Sequence, residues 1–155
     1  MHELVFDSID RLAAHSGPLT VLDAGCGTGF LLRGLGRYGF ACGVDCSPVA
    51  LTYCRGRGLN RLARASVASL PFQDAVFDVI VSTDVLYHTG VTDDLGALRE
   101  FHRVLKPGGL VILHVPAFEF LRRAHDRQMH SRHRYSRQEL ESKLSGSRFQ
   151  VAKIT

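Results

Sequence analysis

The 155-residue chain predicts an α/β protein with a doubly wound, mostly parallel sheet carrying helices on both faces. Three observations carry that expectation. Apolar runs of strand length alternate with stretches whose apolar residues recur at helical spacing. The first such run, Leu19 to Ala24, ends in glycines at positions 25, 27 and 29 and passes straight into a helical pattern. Proline, glycine and short polar residues sit at the joints, where reversals and helix caps need them.

Leu4 to His15 is expected to open the fold as a helix, with Leu4, Val5, Ile9, Leu12 and Ala13 on one face and Gly17-Pro18 as its stop. Leu19 to Ala24 then reads as a buried strand, Thr28 to Tyr38 as a helix and Phe40 to Val44 as a second strand. Pro48 to Arg57 forms a helix with Ser47 as N-cap and proline at its first position. Leu62 to Val67 is a short third strand and Phe77 to Ser82 a fourth. An amphipathic helix spans Thr92 to Leu105, capped by Thr92, with Leu95, Leu98, Phe101 and Leu105 inward. Lys106-Pro107-Gly108-Gly109 stops it, and Leu110 to Val115 supplies a fifth strand. A helix from Ser136 to Leu144, with Ser136 and Glu139 as a capping box, precedes a sixth strand at Phe149 to Ile154.

The glycine turn is where chemistry is expected. Glycines at 25, 27 and 29 remove Cβ atoms where the backbone turns sharply, so a ligand can lie against bare peptide beside the free N–H groups of a helix start. A pyrophosphate cradle of the form G-x-G-x-x-G would need glycine at position 30, which is Phe30. Asp23, at the strand's end, suits a ligand carrying an ammonium or sulfonium better than one carrying two phosphates. The segment resembles motif I of the class I S-adenosylmethionine-dependent methyltransferases, in their type 11-like form. The resemblance runs from about Leu19 to Ile154 and implies a Rossmann-like sheet.

The resemblance also implies roles for particular residues. Asp23, Gly25, Cys26, Gly27 and Gly29 would hold the methionine end of S-adenosylmethionine, which leaves as S-adenosylhomocysteine. In Gly43-Val44-Asp45-Cys46-Ser47-Pro48, Asp45 ends the second strand and would accept hydrogen bonds from both ribose hydroxyls, with Cys46 beside it. Ser66, Val67 and Ala68 would meet the adenine; Ser66 stands where the family commonly has an aspartate. Backbone carbonyls near Ser82 and Thr83 would face the methionine ammonium, and His88 would lie near the transferable methyl group as a general base or an orienting residue. Asp84 and His114 are read as core or rim residues. The family has a seventh, antiparallel strand between the fifth and sixth, and nothing in this sequence supplies it. The expectation is therefore a single domain over residues 1–155, C-terminally truncated, with completion by a second chain as the other explanation.

Net charge is +4, and the excess is concentrated between Arg122 and Arg137. Arg122, Arg123, His125, Arg127, His130, Arg132, His133, Arg134 and Arg137, with Tyr135, would cover the acceptor pocket and suit an anionic acceptor, whether a small metabolite, a lipid-linked sugar phosphate or RNA. A solvated loop is the plainer reading. His125, His130 and His133 have no matching cysteine or carboxylate pattern, so no metal site is assigned. The longest apolar runs fall far short of the roughly 20 residues a membrane span requires. The first four residues lack a signal peptide's basic and apolar regions, which makes the cytoplasm the default location. Four cysteines without C-x-x-C pairing suit a reducing compartment. A small-molecule acceptor is the partner expected, and a homodimer stays open. A nicotinamide-dependent oxidoreductase and a non-catalytic cofactor- or partner-binding module remain as alternatives.

Overall fold

The structure, a computed structural model, describes residues 2–13, 17–116 and 133–154. Five parallel strands form its sheet: β1 (Leu19–Ala24), β2 (Gly39–Asp45), β3 (Leu62–Arg64), β4 (Phe77–Thr83) and β5 (Leu105–His114). Their order is β3-β2-β1-β4-β5. The winding therefore reverses between β1 and β4, and the crevice at the carboxyl ends of those strands is where such sheets take ligands.

Strand side chains alternate between two cores, as a period of two dictates. Leu19, Val21, Val79 and Val81 face α1 (His2–Leu12) and α2 (Phe30–Leu35), meeting Val5, Ile9, Leu31 and Leu35. Leu22, Ala24, Val44 and Ile80 face the other way, against Ala97, Leu98, Phe101 and Val104 of α4 (Asp94–Val104). Leu140 and Leu144 of α5 (Arg137–Gly146) pack on that second core, and α3 (Pro48–Gly56) covers β2 through Leu51 and Cys54. No helix among the described residues is long and apolar enough to cross a membrane.

Several expectations are corrected. In α1 the buried stripe is Val5 and Ile9, while Leu4 and Leu12 are exposed. The second helix is only six residues long and tightens into a 3-10 turn at Gly36–Tyr38, and Phe6 of α1 packs against the bare backbone of Gly34. β3 ends at Arg64 because Ser66 starts a turn in which its carbonyl accepts the Ser69 N–H at 3.0 Å. Asp93, not Thr92, caps α4 through Oδ1 and the Gly96 N–H at 2.7 Å; Leu98 and Phe101 are buried as expected, and Ala97 and Val104 complete that face. Leu95 and Leu105 are half-buried. Lys106 to Gly109 form a bulge rather than a break. Leu105 pairs with Phe77 and Leu110 with Val79, so four residues bulge out opposite Asp78, whose carboxylate binds Lys106 Nζ at 2.8 Å.

At the C-terminal end, Ser136 caps α5 by accepting the Glu139 N–H at 3.1 Å. The Glu139 carboxylate goes to His133 Nε2 at 2.8 Å, which leaves only half of the expected capping box. Residues 149–154 form no strand. Phe149 instead folds back: its N–H donates to Leu144 O at 2.9 Å, and its ring stands edge-on to His102 of α4 at 5.5 Å.

Candidate cofactor site at the carboxyl edge of the sheet

The glycine turn is anchored by backbone bonds before any side chain acts. Gly25 N and Cys26 N both donate to Val44 O, at 2.7 and 2.9 Å, which ties the exit of β1 to the end of β2. Gly25 has φ 86, and a Cβ there would collide with the Val85 side chain from the β4 exit. Gly27 differs. Its φ is 52 and its bare face looks into open space, with nothing within 4 Å of where a Cβ would stand. Gly29 caps α2 without a side-chain bond, and its N–H donates to Cys26 O at 2.9 Å.

Asp45 braces this turn from the next strand. Its Oδ2 accepts the Gly27 N–H at 2.9 Å and its Oδ1 the Ser47 N–H at 2.8 Å. Each oxygen keeps a further lone pair for a ligand hydroxyl. Ser47 caps α3 as expected, accepting the Ala50 N–H at 3.2 Å, so Asp45 is not needed for that task. Cys46 is exposed, and its carbonyl takes Arg64 Nε at 3.3 Å.

Asp23 is the electrostatic anomaly. Only 1% of it is exposed, and its Oδ2 has no hydrogen-bond partner. Burial, seconded by the nearby Asp45 charge, pushes its carboxyl up to about 7 against a weaker opposing pull from the Leu32 backbone. Burial, with Asp23 adding to it, likewise raises the Cys26 thiol far above its usual range. Cys54, whose Sγ donates to Gly27 O at 3.2 Å, is raised by burial too. These thiols pack under the turn in protonated form.

The remaining candidates divide by strand. Ser66 is exposed after β3, and its hydroxyl accepts the Ala68 N–H at 3.2 Å, while Val67 is buried beneath the turn. Ser82 is buried, and its hydroxyl donates to Ala24 O at 3.0 Å, which straps β4 to β1; Thr83 is half-buried beside it. His88 is exposed on the β4–α4 loop, with Nδ1 accepting the Gly90 N–H at 3.2 Å. The ring's lone pair is thus engaged within the loop.

Two groupings escape the sequence reading. Asp84 Oδ1 lies 3.0 Å from His114 Nδ1 and also accepts the Tyr87 hydroxyl at 3.1 Å, where β4 and β5 end in register. Farther along, Tyr135 is buried; its hydroxyl donates to Asp94 Oδ2 at 2.9 Å, Lys143 Nζ sits 3.1 Å from the same carboxylate, and the Tyr135 N–H donates to Pro116 O at 3.0 Å. Of the basic stretch, Arg122 to Arg132 lie outside the described residues.

A family model described as a methyltransferase domain matches residues 22–113. The chain is similar to cycloartenol-C-24-methyltransferase 1 of rice, 32% identical over 99 residues covering 58% of this chain and 28% of that protein. It is also similar to tRNA (carboxymethyluridine(34)-5-O)-methyltransferase of Arabidopsis thaliana, 37% identical over 100 residues covering 64% of this chain and 24% of the relative. The matched stretch is thus about a quarter of the length of either relative. The crystal structure of YcgJ from Bacillus subtilis superposes with a TM-score of 0.77 at 26% identity, over 95% of this chain and 68% of that one.

Proposed function

The chain belongs to the methyltransferase-domain family, and on that premise we propose that it binds S-adenosylmethionine in the β1–β2–β4 crevice and transfers its methyl group to an acceptor. The observation that carries this reading is Asp23. A buried carboxylate with an unpartnered oxygen, beside a second carboxylate and a glycine with an open face, calls for a cationic ligand carrying hydroxyls. A dinucleotide would bring two phosphates to the same place. The residues present fit the cofactor.

In this assignment Asp23 answers the positive end of the ligand, while Gly27 offers it an open, bare face and Gly25, Cys26 and Gly29 shape the turn around that face. Asp45 takes the ribose hydroxyls on the lone pairs that Gly27 and Ser47 leave, and Cys46 borders it. Ser66, Val67 and Ala68 form the adenine wall, with Ser66 still able to donate its own hydrogen. Ser82 holds β4 against β1 so that the Ser82 and Thr83 carbonyls line the crevice. His88 orients the loop over the methyl end through its bond to Gly90. The cofactor supplies a methyl group on a sulfonium, ready for in-line displacement. The chain's share is to position the acceptor about 3 Å from that carbon and exclude water.

The rice and Arabidopsis relatives are named for cycloartenol and for a tRNA carboxymethyluridine, which supports a small molecule or an RNA as the class of acceptor to test here. A module that holds the cofactor without using it is the second reading, favoured by Ser66, whose hydroxyl is partly spent on Ala68. Calorimetric titration with S-adenosylhomocysteine and, in parallel, NADH tests the proposal. Micromolar binding of the first and none of the second is expected; the reverse overturns it. Release of S-adenosylhomocysteine with acceptors present separates enzyme from module.

A further inference from the structure

Asp84 holds a φ of 61, in the left-handed region that a residue other than glycine adopts at a cost. It does so directly at the end of β4, one residue before Val85, whose side chain lies on the bare backbone of Gly25. That conformation turns the Asp84 N–H onto His114 O at 3.1 Å and the carboxylate onto the same residue's ring at 3.0 Å. An ionised carboxylate only accepts, so the hydrogen in this bond sits on His114 Nδ1. The lone pair of the neutral ring is then on Nε2, which has no hydrogen-bond partner among the described residues. His88 shows the opposite arrangement, with its Nδ1 lone pair taken by a backbone N–H.

The pair stands on the β4–β5 side of the strand-order reversal, across from the β1–β2 side that holds the glycine turn and Asp45. We propose that Asp84 and His114 form the proton-accepting dyad of the acceptor half of the site, with His114 Nε2 taking the proton of a phenolic hydroxyl. This rests on the cofactor reading above. As the acceptor oxygen forms its bond to the methyl carbon, the carbon–sulfur bond breaks and its electron pair stays on sulfur. The hydroxyl proton passes to Nε2, and the imidazolium is held by the Asp84 carboxylate. A phenol, with a pKa of about 10, is the hydroxyl that gives up its proton to such a base most readily.

Three measurements on the whole chain test the proposal. Nitrogen-15 shifts of the His114 ring should report hydrogen on Nδ1 in the wild type and its movement toward Nε2 in Asp84→Asn, a substitution the left-handed backbone tolerates. His114→Gln should lower kcat/KM for phenol by about 100-fold or more, and for 4-nitrophenol, largely ionised at pH 8, by no more than about threefold. S-Adenosylhomocysteine affinity should be the same in all three proteins. Absence of that binding in the wild type overturns the cofactor reading. With binding intact, hydrogen on Nε2 in the wild type, equal losses on both phenols, or no methylation of either overturns the dyad.

Discussion

Asp23 ties ligand binding to protonation, and the coupling is large enough to measure. With its carboxyl pushed up to about 7 by burial, the ligand-free protein holds this proton at pH 6. The rise from 3.8 works out to roughly 4 kcal/mol against the ionised form. Below pH 3.8 the folded and unfolded chains both carry the proton. Between 3.8 and 7 only the unfolded chain releases it, so this group's contribution to stability falls as pH rises, and above 7 the loss is complete. Asp23→Asn removes the dependence and should gain about 1.6 kcal/mol at pH 5 and roughly 4 kcal/mol at pH 8. For a domain of this size the gains correspond to Tm increases of about 4 °C and roughly 10 °C. An ammonium set against Asp23 needs the ionised form, and S-adenosylhomocysteine keeps that ammonium although its sulfur is neutral. S-Adenosylhomocysteine should therefore release close to one proton on binding at pH 6, counted by titration in two buffers of different ionisation heat. Its affinity should rise by up to about tenfold per pH unit and level off above 7. In Asp23→Asn the slope should vanish along with most of the affinity. A wild-type affinity flat from pH 5.5 to 8, or a variant that melts no higher at pH 8, refutes the reasoning.

Gly25→Ala and Gly27→Ala should separate structure from binding: the first meets Val85 and should cost about 2–4 kcal/mol in urea unfolding. The second, facing open space, should cost about 1 kcal/mol yet weaken S-adenosylhomocysteine binding at least about tenfold. Asp45→Ala strips the acceptors from Gly27 N–H and Ser47 N–H, so ligand affinity should fall by about 1.4 kcal/mol or more and the Gly27 amide should exchange faster; equal affinity would remove the ribose assignment. Tyr135→Phe removes one hydrogen bond from the buried Asp94, and urea unfolding should register a loss of about 1–3 kcal/mol; an unchanged midpoint would show that the hydroxyl adds nothing.

Local signals proved sufficient for much of this architecture. β1 matches its expected limits because the Leu19 to Ala24 run is apolar and bounded by Pro18 and Gly25, and the Ser47 and Ser136 caps are legible because each bond spans three residues. The α4 cap was ambiguous because Thr92 and Asp93 are adjacent candidates; Leu98 and Phe101 were nonetheless placed inward, and only Leu95 and Leu105 gave way to Ala97 and Val104. The sixth strand was misread because Phe149 to Ile154 has strand-like composition, whereas the competing partner, His102, lies far away in sequence. For the site, the glycines and Asp45 were readable as a pattern. That Asp45 holds the Gly27 amide was not, since a backbone donor leaves no mark on a sequence. Asp84 and His114 lie 30 positions apart and were set aside. Their one available signal was position: Asp84 comes two residues after the expected fourth strand and His114 one before the end of the fifth, and parallel register brings those ends side by side.

The bond from Tyr135 N–H to Pro116 O brings the chain back to the point it left after β5, with the tyrosine hydroxyl riveted to Asp94. Pro116 and Tyr135 thus stand as two fixed posts for an insert. Doubling the length of such an insert adds only about 0.6 kcal/mol of closure entropy. Between these posts the length of chain can change at little cost to the sheet, the glycine turn or the two carboxylates.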